Sequence, residues 1–468
     1  MPTDLDIGHL LTLHGVYVLV AVLVYVVSSH AVQQRRHPSA AIAWMLFILF
    51  MPYIALPAFL LFGFRKLARP ASPVAAPIPR CQSWAVETIM ALRQPAPAPY
   101  RELAVHQDGR EARAALLEII AAARHSIDCS TFLVGRDHLG DEVIDGLCAK
   151  ARSGVHVRLL VDGFGHLMGG RPNLQRLAAA GGEFALFVEP LWSPLKGRTN
   201  LRNHRKMLLV DVGSESARLW CGGRNFASEY FEGEGSARPW HDLSFDLQGE
   251  FLQQAHELFE RDWAFAVGRA PVPGAAVTTG QEPEPEFRHP PNVAQLVASG
   301  PDQEDDTVHE LLLTSAYRAR ERIVIATPYF VPESALLLAL CLAARRGVRV
   351  DLLLPARSNH RLSDLARDRA LRSLALAGGH VWLAPTMLHA KLVVIDDRLA
   401  LAGSTNLDSR SLFLNYELMV AFHDRKDVLR FQAWFSRECS CASAYAAKNP
   451  GLLRDVMEGM LLWLAFQL

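Results

Sequence analysis

Apolar and polar residues follow three different patterns along this chain. From residue 7 to 64 only Arg35 and Arg36 carry charge, and two apolar runs, about 10–27 and 40–64, show no polar face. A bilayer-spanning helix needs roughly 20 mostly apolar residues. The pattern therefore predicts a transmembrane helical hairpin over residues 1–69, with Tyr17, Trp44 and Tyr53 as interfacial anchors and Pro52 and Pro57 kinking the second helix. A cleaved signal peptide is disfavoured, because Asp4 and Asp6 stand where its basic residues belong. Arg35 and Arg36 nearly balance Arg65, Lys66 and Arg69, with a slight tilt toward a cytoplasmic position for the chain beyond the second helix.

Next come two stretches without apolar periodicity: Pro/Ala-rich 70–100, with one short helical stretch at 84–92, and Pro/Glu-rich 271–292. Both are expected to be extended, solvated linkers. They bracket two blocks, 101–270 and 293–468. Within each block, segments with apolar residues at i, i+3/i+4 alternate with β-branched runs, which predicts an α/β fold. The blocks also resemble each other. LCAKARSGVHV at 147–157 matches LCLAARRGVRV at 340–350, each a helix, a Gly stop and a strand. Upstream, ALLEIIAAARHSIDCSTFLV parallels ELLLTSAYRARERIVIATPYF, again helix then strand. Four elements in the same order predict a duplication. The tail, 452–468, carries Leu453, Val456, Met457, Met460, Leu461 and Leu464 at helical spacing, an apolar helix suited either to docking on the protein or to touching a membrane.

Composition narrows the function. Lys plus Arg equals Asp plus Glu at 48 each, so the basic excess of a general nucleic-acid binder is missing. With 50% apolar and 21% charged residues the chain is too apolar to be disordered. Its seven cysteines are scattered, with neither a disulfide framework nor a Cys-x-x-Cys zinc knuckle.

One pattern, H-x-K-x4-D, occurs in each half: His204, Lys206 and Asp211, then His389, Lys391 and Asp396. Each copy precedes a Gly-rich turn ending in asparagine, GGRN with Asn225 and GSTN with Asn406. The aliphatic run after each Lys predicts a buried strand, and residues two apart on an extended chain share a face. An imidazole and an ammonium on one face suit a phosphate oxyanion, which the Asn225 and Asn406 amides and the Gly-rich backbone can approach. A neutral histidine can attack phosphorus to give a phosphohistidine, while a second, protonated histidine gives its proton to the leaving alcohol. With one histidine per motif, the two halves must face each other across a pseudo-twofold axis. The lysines then supply charge stabilisation, and no metal or other cofactor is required. Each histidine also needs a carboxylate on its second nitrogen, and Asp242 and Glu417 stand at matching places downstream of the two turns. Asp211 and Asp396, grouped with the catalytic set, end their strands and either organise the turn or pair with a basic residue.

These motifs resemble the phospholipase D superfamily and, within it, the bacterial cardiolipin synthases. Arg36-His37-Pro38, Ala43-Trp44, Asn200-Leu201-Arg202-Asn203, Pro328-Tyr329-Phe330-Val331-Pro332 and Leu407-Asp408-Ser409-Arg410-Ser411 also fit, so the resemblance covers nearly the whole chain. It implies two α/β halves sharing one active site behind the membrane hairpin, in a multi-pass protein of the bacterial inner membrane. It also implies a phosphatidyl-histidine intermediate and transfer of phosphatidyl from one phosphatidylglycerol to another, with release of glycerol. By analogy His204 is the nucleophile and His389 the acid, although pseudo-symmetry permits the reverse. Hydrolysis to phosphatidic acid and use of phosphatidylethanolamine as donor are the alternatives. A nuclease is disfavoured by the neutral charge, and an inactive scaffold by two complete motifs. The oligomeric state is left open. Two features depart from the family. Ten residues, 212–221, separate Asp211 from its Gly-rich turn, against six, 397–402, in the second half, and Arg224 precedes Asn225. That longer loop is expected to border the site and bear on the acceptor. The aromatic-rich strand is reduced to Ser130-Thr131-Phe132-Leu133. Residues 162–166 and 359–360 either rim the cleft or are ordinary strand-end turns.

Overall fold

The computed structural model describes residues 7–31, 38–63, 83–189, 200–233, 238–269, 292–447, 450–451, 454 and 458. Arg35, Arg36, Arg65, Lys66 and Arg69, nearly all of the second linker and most of the C-terminal apolar helix lie outside the described residues.

The N-terminal apolar runs form three helices, Ile7–Ala31, Pro38–Phe50 and Pro52–Phe62. Proline lacks an N–H and disfavours helical geometry in the residue before it. Met51, at φ −136° and ψ 56°, accordingly splits the second run into helices of 13 and 11 residues. Ala21, Tyr25, Ile48, Ala55 and Phe59 make a small core of their own. Among the described residues, no helix is long and apolar enough to cross a membrane, which corrects the expected pair of full spans.

The two larger blocks are built alike. Asp108 and Asp137 cap the helices Gly109–Ala122 and His138–Arg152, each accepting a backbone N–H with its side chain. The second helix buries Leu139, Val143, Ile144, Leu147 and Ala151 and ends at Gly154, φ +90°. Its counterpart Ser334–Arg345 buries Leu336, Ala339, Leu340 and Ala343 and ends at Gly347, φ +88°. In both, the residue after that glycine bonds back to a carbonyl five positions earlier (Val155 to Lys150, Val348 to Ala343), the closure that needs a left-handed residue.

In the first half the sheet runs Arg101–Val105, Ser244–Gln248, Arg218–Gly222, Met207–Val210, Ser126–Thr131, His156–Val161, Glu183–Leu186. In the second half the order is Val293–Ser299, Asn415–Phe422, Leu399–Gly403, Leu392–Ile395, Arg322–Ala326, Arg349–Pro355, His380–Ala384. Position by position the two orders correspond, as duplication requires. Side chains alternate along each motif strand. Met207 and Leu209, like Leu392 and Val394, face a core common to both halves, while Leu208 and Val210, like Val393 and Ile395, face each half's own helices.

Two segments from outside the second half join its sheet. Ala98–Pro99 pairs with Val293–Ala294, and Arg202–Asn203 pairs in parallel with Asn415–Tyr416. The stretch 84–99 departs from the expected solvated linker: helix Trp84–Ala91 buries Ala85 and Ile89 in the second-half core. Six described cysteines are free thiols.

Candidate active site

The site forms where the segments leading into the two motif strands meet the opposite half. His204 N–H donates to the Tyr416 carbonyl at 2.9 Å, and its Nδ1 lies 3.0 Å from Glu417 Oε2. His389 N–H donates to the His241 carbonyl, and its Nδ1 lies 2.7 Å from Asp242 Oδ2. Each histidine is thus held by a backbone bridge and by a carboxylate one residue further along the partner strand, both from the other half. With Nδ1–H facing a carboxylate, Nε2 keeps a lone pair for chemistry. Aromatic rings flank both imidazoles: Phe132 stands edge-on to His204 at 5.4 Å, and Tyr230 edge-on to His389 at 5.0 Å.

The lysines lie beside the histidines, just before their strands begin. Lys206 Nζ donates to the His204 carbonyl at 2.8 Å, and Lys391 Nζ lies 2.8 Å from Nδ1 and 3.0 Å from Nε2 of His389. Both lysines are 1% exposed, so they cannot be ordinary solvated cations. Burial pushes Lys206 down to about 7 and Lys391 down to about 8. Burial likewise lowers His204 to about 4 and His389 to about 3, despite the pull of Glu417 and Asp242. Burial works to raise Asp242, but His389 and Lys391 together bring it down to about 2. At neutral pH the site holds neutral imidazoles, ionised carboxylates and lysines poised to take a proton when an anion enters.

Oδ1 of Asn225 and Oδ1 of Asn406 are buried without a hydrogen-bond partner among the described residues. The glycines before them also make room within the fold. A Cβ on Gly403 would lie 2.1 Å from the Leu418 carbonyl, and one on Gly223 would lie 2.3 Å from Asp242 Oδ1. They admit the strands that carry the carboxylates.

Asp211 and Asp396 take no part in this cluster, which corrects their grouping with the catalytic residues. They sit beyond the opposite ends of their strands, at φ +52° and +51°. Asp211 accepts the backbone N–H groups of Arg124, His125 and Ser126, and Asp396 those of Arg320, Glu321 and Arg322. Each fastens the start of the adjacent strand. The longer loop after Asp211 turns at that same far end, so it does not border the site as expected. Arg224 also points elsewhere: it is buried and donates to the Tyr230 carbonyl and Ser244 Oγ.

Three supporting residues escape motif reasoning. Ser404 Oγ–H donates to Glu417 Oε2 at 2.5 Å, where the first half has Gly223 packed on the shorter Asp242. Asp162 Oδ2 accepts the Asn203 N–H at 2.8 Å and so tethers the segment before His204. Arg205, wholly buried, pairs with Asp262, reaches the carbonyls of Glu417 and Ser299, and approaches Asp302 at 3.3 Å. Its counterpart is Ala390. A charged residue at a core-facing position inside the motif was the available signal.

For a metal, the described residues bring together only Asp128, His256 and Glu260, whose ligand atoms lie within 4.8 Å of one another. Arg158 already donates to Asp128 at 2.7 Å and to Glu260 at 2.5 Å, filling the place of a cation.

Two equivalent halves that each supply a histidine, a lysine and the other's carboxylate define a phospholipase D-type active site. The chain matches the family described as "Cardiolipin synthase, PLD-like domain" over residues 116–263 and 312–439, and "Phospholipase_D-nuclease N-terminal" over 18–63. It is 31% identical over 432 residues to Cardiolipin synthase A of Escherichia coli, covering 85% of this chain and 86% of that one. Its fold is shared with the phosphatidylserine synthase of Haemophilus influenzae Rd KW20, at a TM-score of 0.60 and 13% identity, covering 82% of this chain and all of the other. The chain belongs to the cardiolipin synthase family of the phospholipase D superfamily.

Proposed function

We propose that this protein is a membrane-bound phosphatidyltransferase that condenses two phosphatidylglycerol molecules to cardiolipin and free glycerol. The observation that carries this reading is the crossed pair of histidine–carboxylate contacts, His204 with Glu417 and His389 with Asp242, in one buried cluster with both lysines. Nε2 of His204 attacks the phosphorus of the first lipid while the P–O bond to its headgroup glycerol breaks. His389 Nε2–H, protonated when the anionic substrate offsets its depressed basicity, gives its proton to that oxygen. A headgroup hydroxyl of the second phosphatidylglycerol then attacks phosphorus, returns a proton to His389, and the P–N bond breaks. Lys206, Lys391, Asn225 and Asn406 hold the non-bridging oxygens as charge builds. Asp242 and Glu417 hold the histidine tautomers and stabilise the imidazolium. The symmetry of the cluster allows the two histidines to exchange roles.

The N-terminal helices hold the catalytic body at the bilayer, where both lipid substrates diffuse. Support comes from their exposed apolar surface, with Leu13 at 68%, Leu19 at 70% and Phe50 at 75% exposure. In this reading the three helices form a hairpin-like unit embedded in the inner membrane of a bacterial cell.

Incubating the purified protein with phosphatidylglycerol vesicles tests the reaction. Cardiolipin and glycerol in equal amounts are expected, whereas phosphatidic acid without cardiolipin would make the protein a hydrolase. Added phosphatidylethanolamine shows whether it replaces the donor.

A further inference from the structure

We propose that Arg202 and Arg410, one from each half, form a second anion site beside the catalytic histidines that takes the phosphodiester of the acceptor lipid. This rests on the transfer reading above.

Both arginines lie on the seam between the halves. Arg202 is two residues before His204 on the short strand paired with Asn415–Tyr416, where it stands opposite Asn415. Arg410, four residues after Asn406, donates across the seam to Asn200 Oδ1 at 3.1 Å and to the Asn200 carbonyl at 3.0 Å. The Arg202 guanidinium stacks 4.9 Å from the centre of the half-exposed Phe164 ring. Burial first, then the charge of Arg202, makes Arg410 a weaker base than usual, while Asp408, Asp162 and Glu417, the partner of His204, pull the other way; burial weakens Arg202 as well, against the pull of Asp162.

Arg410 makes no ion pair with any described residue, although acids are close. Each of those acids is engaged elsewhere. Asp162 accepts the N–H groups of Phe164, Gly165 and Asn203; Asp408 accepts that of Ser411; Glu417 is bound to His204 and Ser404. Arg205, buried at the same seam, shows the contrast with Arg410, because Asp262 and Asp302 neutralise it. A mostly buried guanidinium that lacks a counter-charge is unfavourable until an anion arrives. The planar fork of arginine matches two oxygens of a phosphodiester.

The transfer reaction supplies such an anion. While the first phosphorus is bonded to histidine, the attacking lipid carries its own phosphodiester one glycerol unit from the reacting hydroxyl. A site for that group beside the first phosphate selects a phospholipid alcohol over water or a small alcohol.

The test is a competition in one tube. The full chain is given phosphatidylglycerol vesicles plus ethanol, and cardiolipin and phosphatidylethanol are quantified together. In the ethanol reaction the same P–N bond breaks and the ethanol proton goes to the same histidine, so only the acceptor differs. We expect the cardiolipin-to-phosphatidylethanol ratio to fall at least tenfold in Arg410→Gln and Arg202→Gln, and less in the Lys variants. Arg425→Gln, an exposed residue paired with Asp397, should keep the wild-type ratio. An unchanged ratio in Arg410→Gln, whether or not both products fall together, overturns the proposal and leaves Arg410 as a brace for the Asn200 segment. A wild-type enzyme that makes no cardiolipin overturns the transfer reading itself, and the acceptor site with it.

Discussion

Nδ1 of His204 lies 3.0 Å from Oε2 of Glu417, although 213 residues separate them along the chain. The mirror contact, His389 to Asp242, spans 147 residues. Neither half therefore owns a complete histidine–carboxylate pair. Glu417→Gln and Asp242→Asn should each lower kcat by about a hundredfold or more, since they remove the charge that stabilises an imidazolium. Turnover assays on protein whose thermal unfolding matches wild type will check this. Near-wild-type turnover in either variant would contradict the assigned role.

The buried lysines set an alkaline limit. Lys206 and Lys391 must be charged to bind a phosphodiester, and burial has lowered them to about 7 and 8. As pH rises through that range the free enzyme loses this charge, so kcat/KM should decline from about pH 7 upward. On the acid side the nucleophile stays neutral down to about 4, the value to which burial lowers His204. A kcat/KM profile that is flat to pH 10 would contradict the assignment.

Asp211 should matter to stability and not to chemistry. Burial would raise its carboxyl, but the N–H groups of Ser126, His125 and Arg124 lower it on balance. A depressed carboxylate contributes stability at pH values above its unfolded range, and that contribution is lost as pH falls below its folded value. Asp211→Ala leaves those N–H groups unsatisfied and should cost about 1–3 kcal/mol. Denaturant unfolding measures the loss, and the kcat of the folded fraction should stay within a few-fold of wild type. The same outcome is expected for Asp396→Ala.

Arg205 offers a double-mutant test. Arg205→Met strands Asp262, which is 2% exposed, and should cost about 3–5 kcal/mol. Adding Asp262→Asn removes the stranded charge and should restore part of that loss. A double variant less stable than Arg205→Met would show that the pair is not coupled in this way.

Much of this architecture was legible because it is written twice. The repeated helix–Gly–strand segments and the two H-x-K-x4-D copies locate His204, Lys206, His389 and Lys391, and the duplicated sheet order agrees with them. The carboxylates were legible as candidates, but their crossing was not, since a contact over 213 residues leaves no local pattern. Local spacing also misplaced the longer loop after Asp211. A strand has two ends, and the extra residues fall at the one away from His204. The second apolar run had the length of a span, but Met51 and Pro52 break it because proline cannot complete the hydrogen-bond ladder. Residues 84–99, read by composition as linker, pack on the second half because Ala85 and Ile89 bury a helical stripe there.

The most direct test of the central claim is chemical trapping of the intermediate. Phosphatidylglycerol labelled at phosphorus is mixed with the enzyme, the reaction is stopped in denaturant at alkaline pH, and the labelled peptide is sequenced by mass spectrometry. A shared site in which a histidine attacks phosphorus predicts an acid-labile phosphatidyl adduct on His204, or on its pseudo-symmetric partner His389, and none in the double variant His204→Ala/His389→Ala. Cardiolipin formation by that double variant, or label on any other residue, would contradict it.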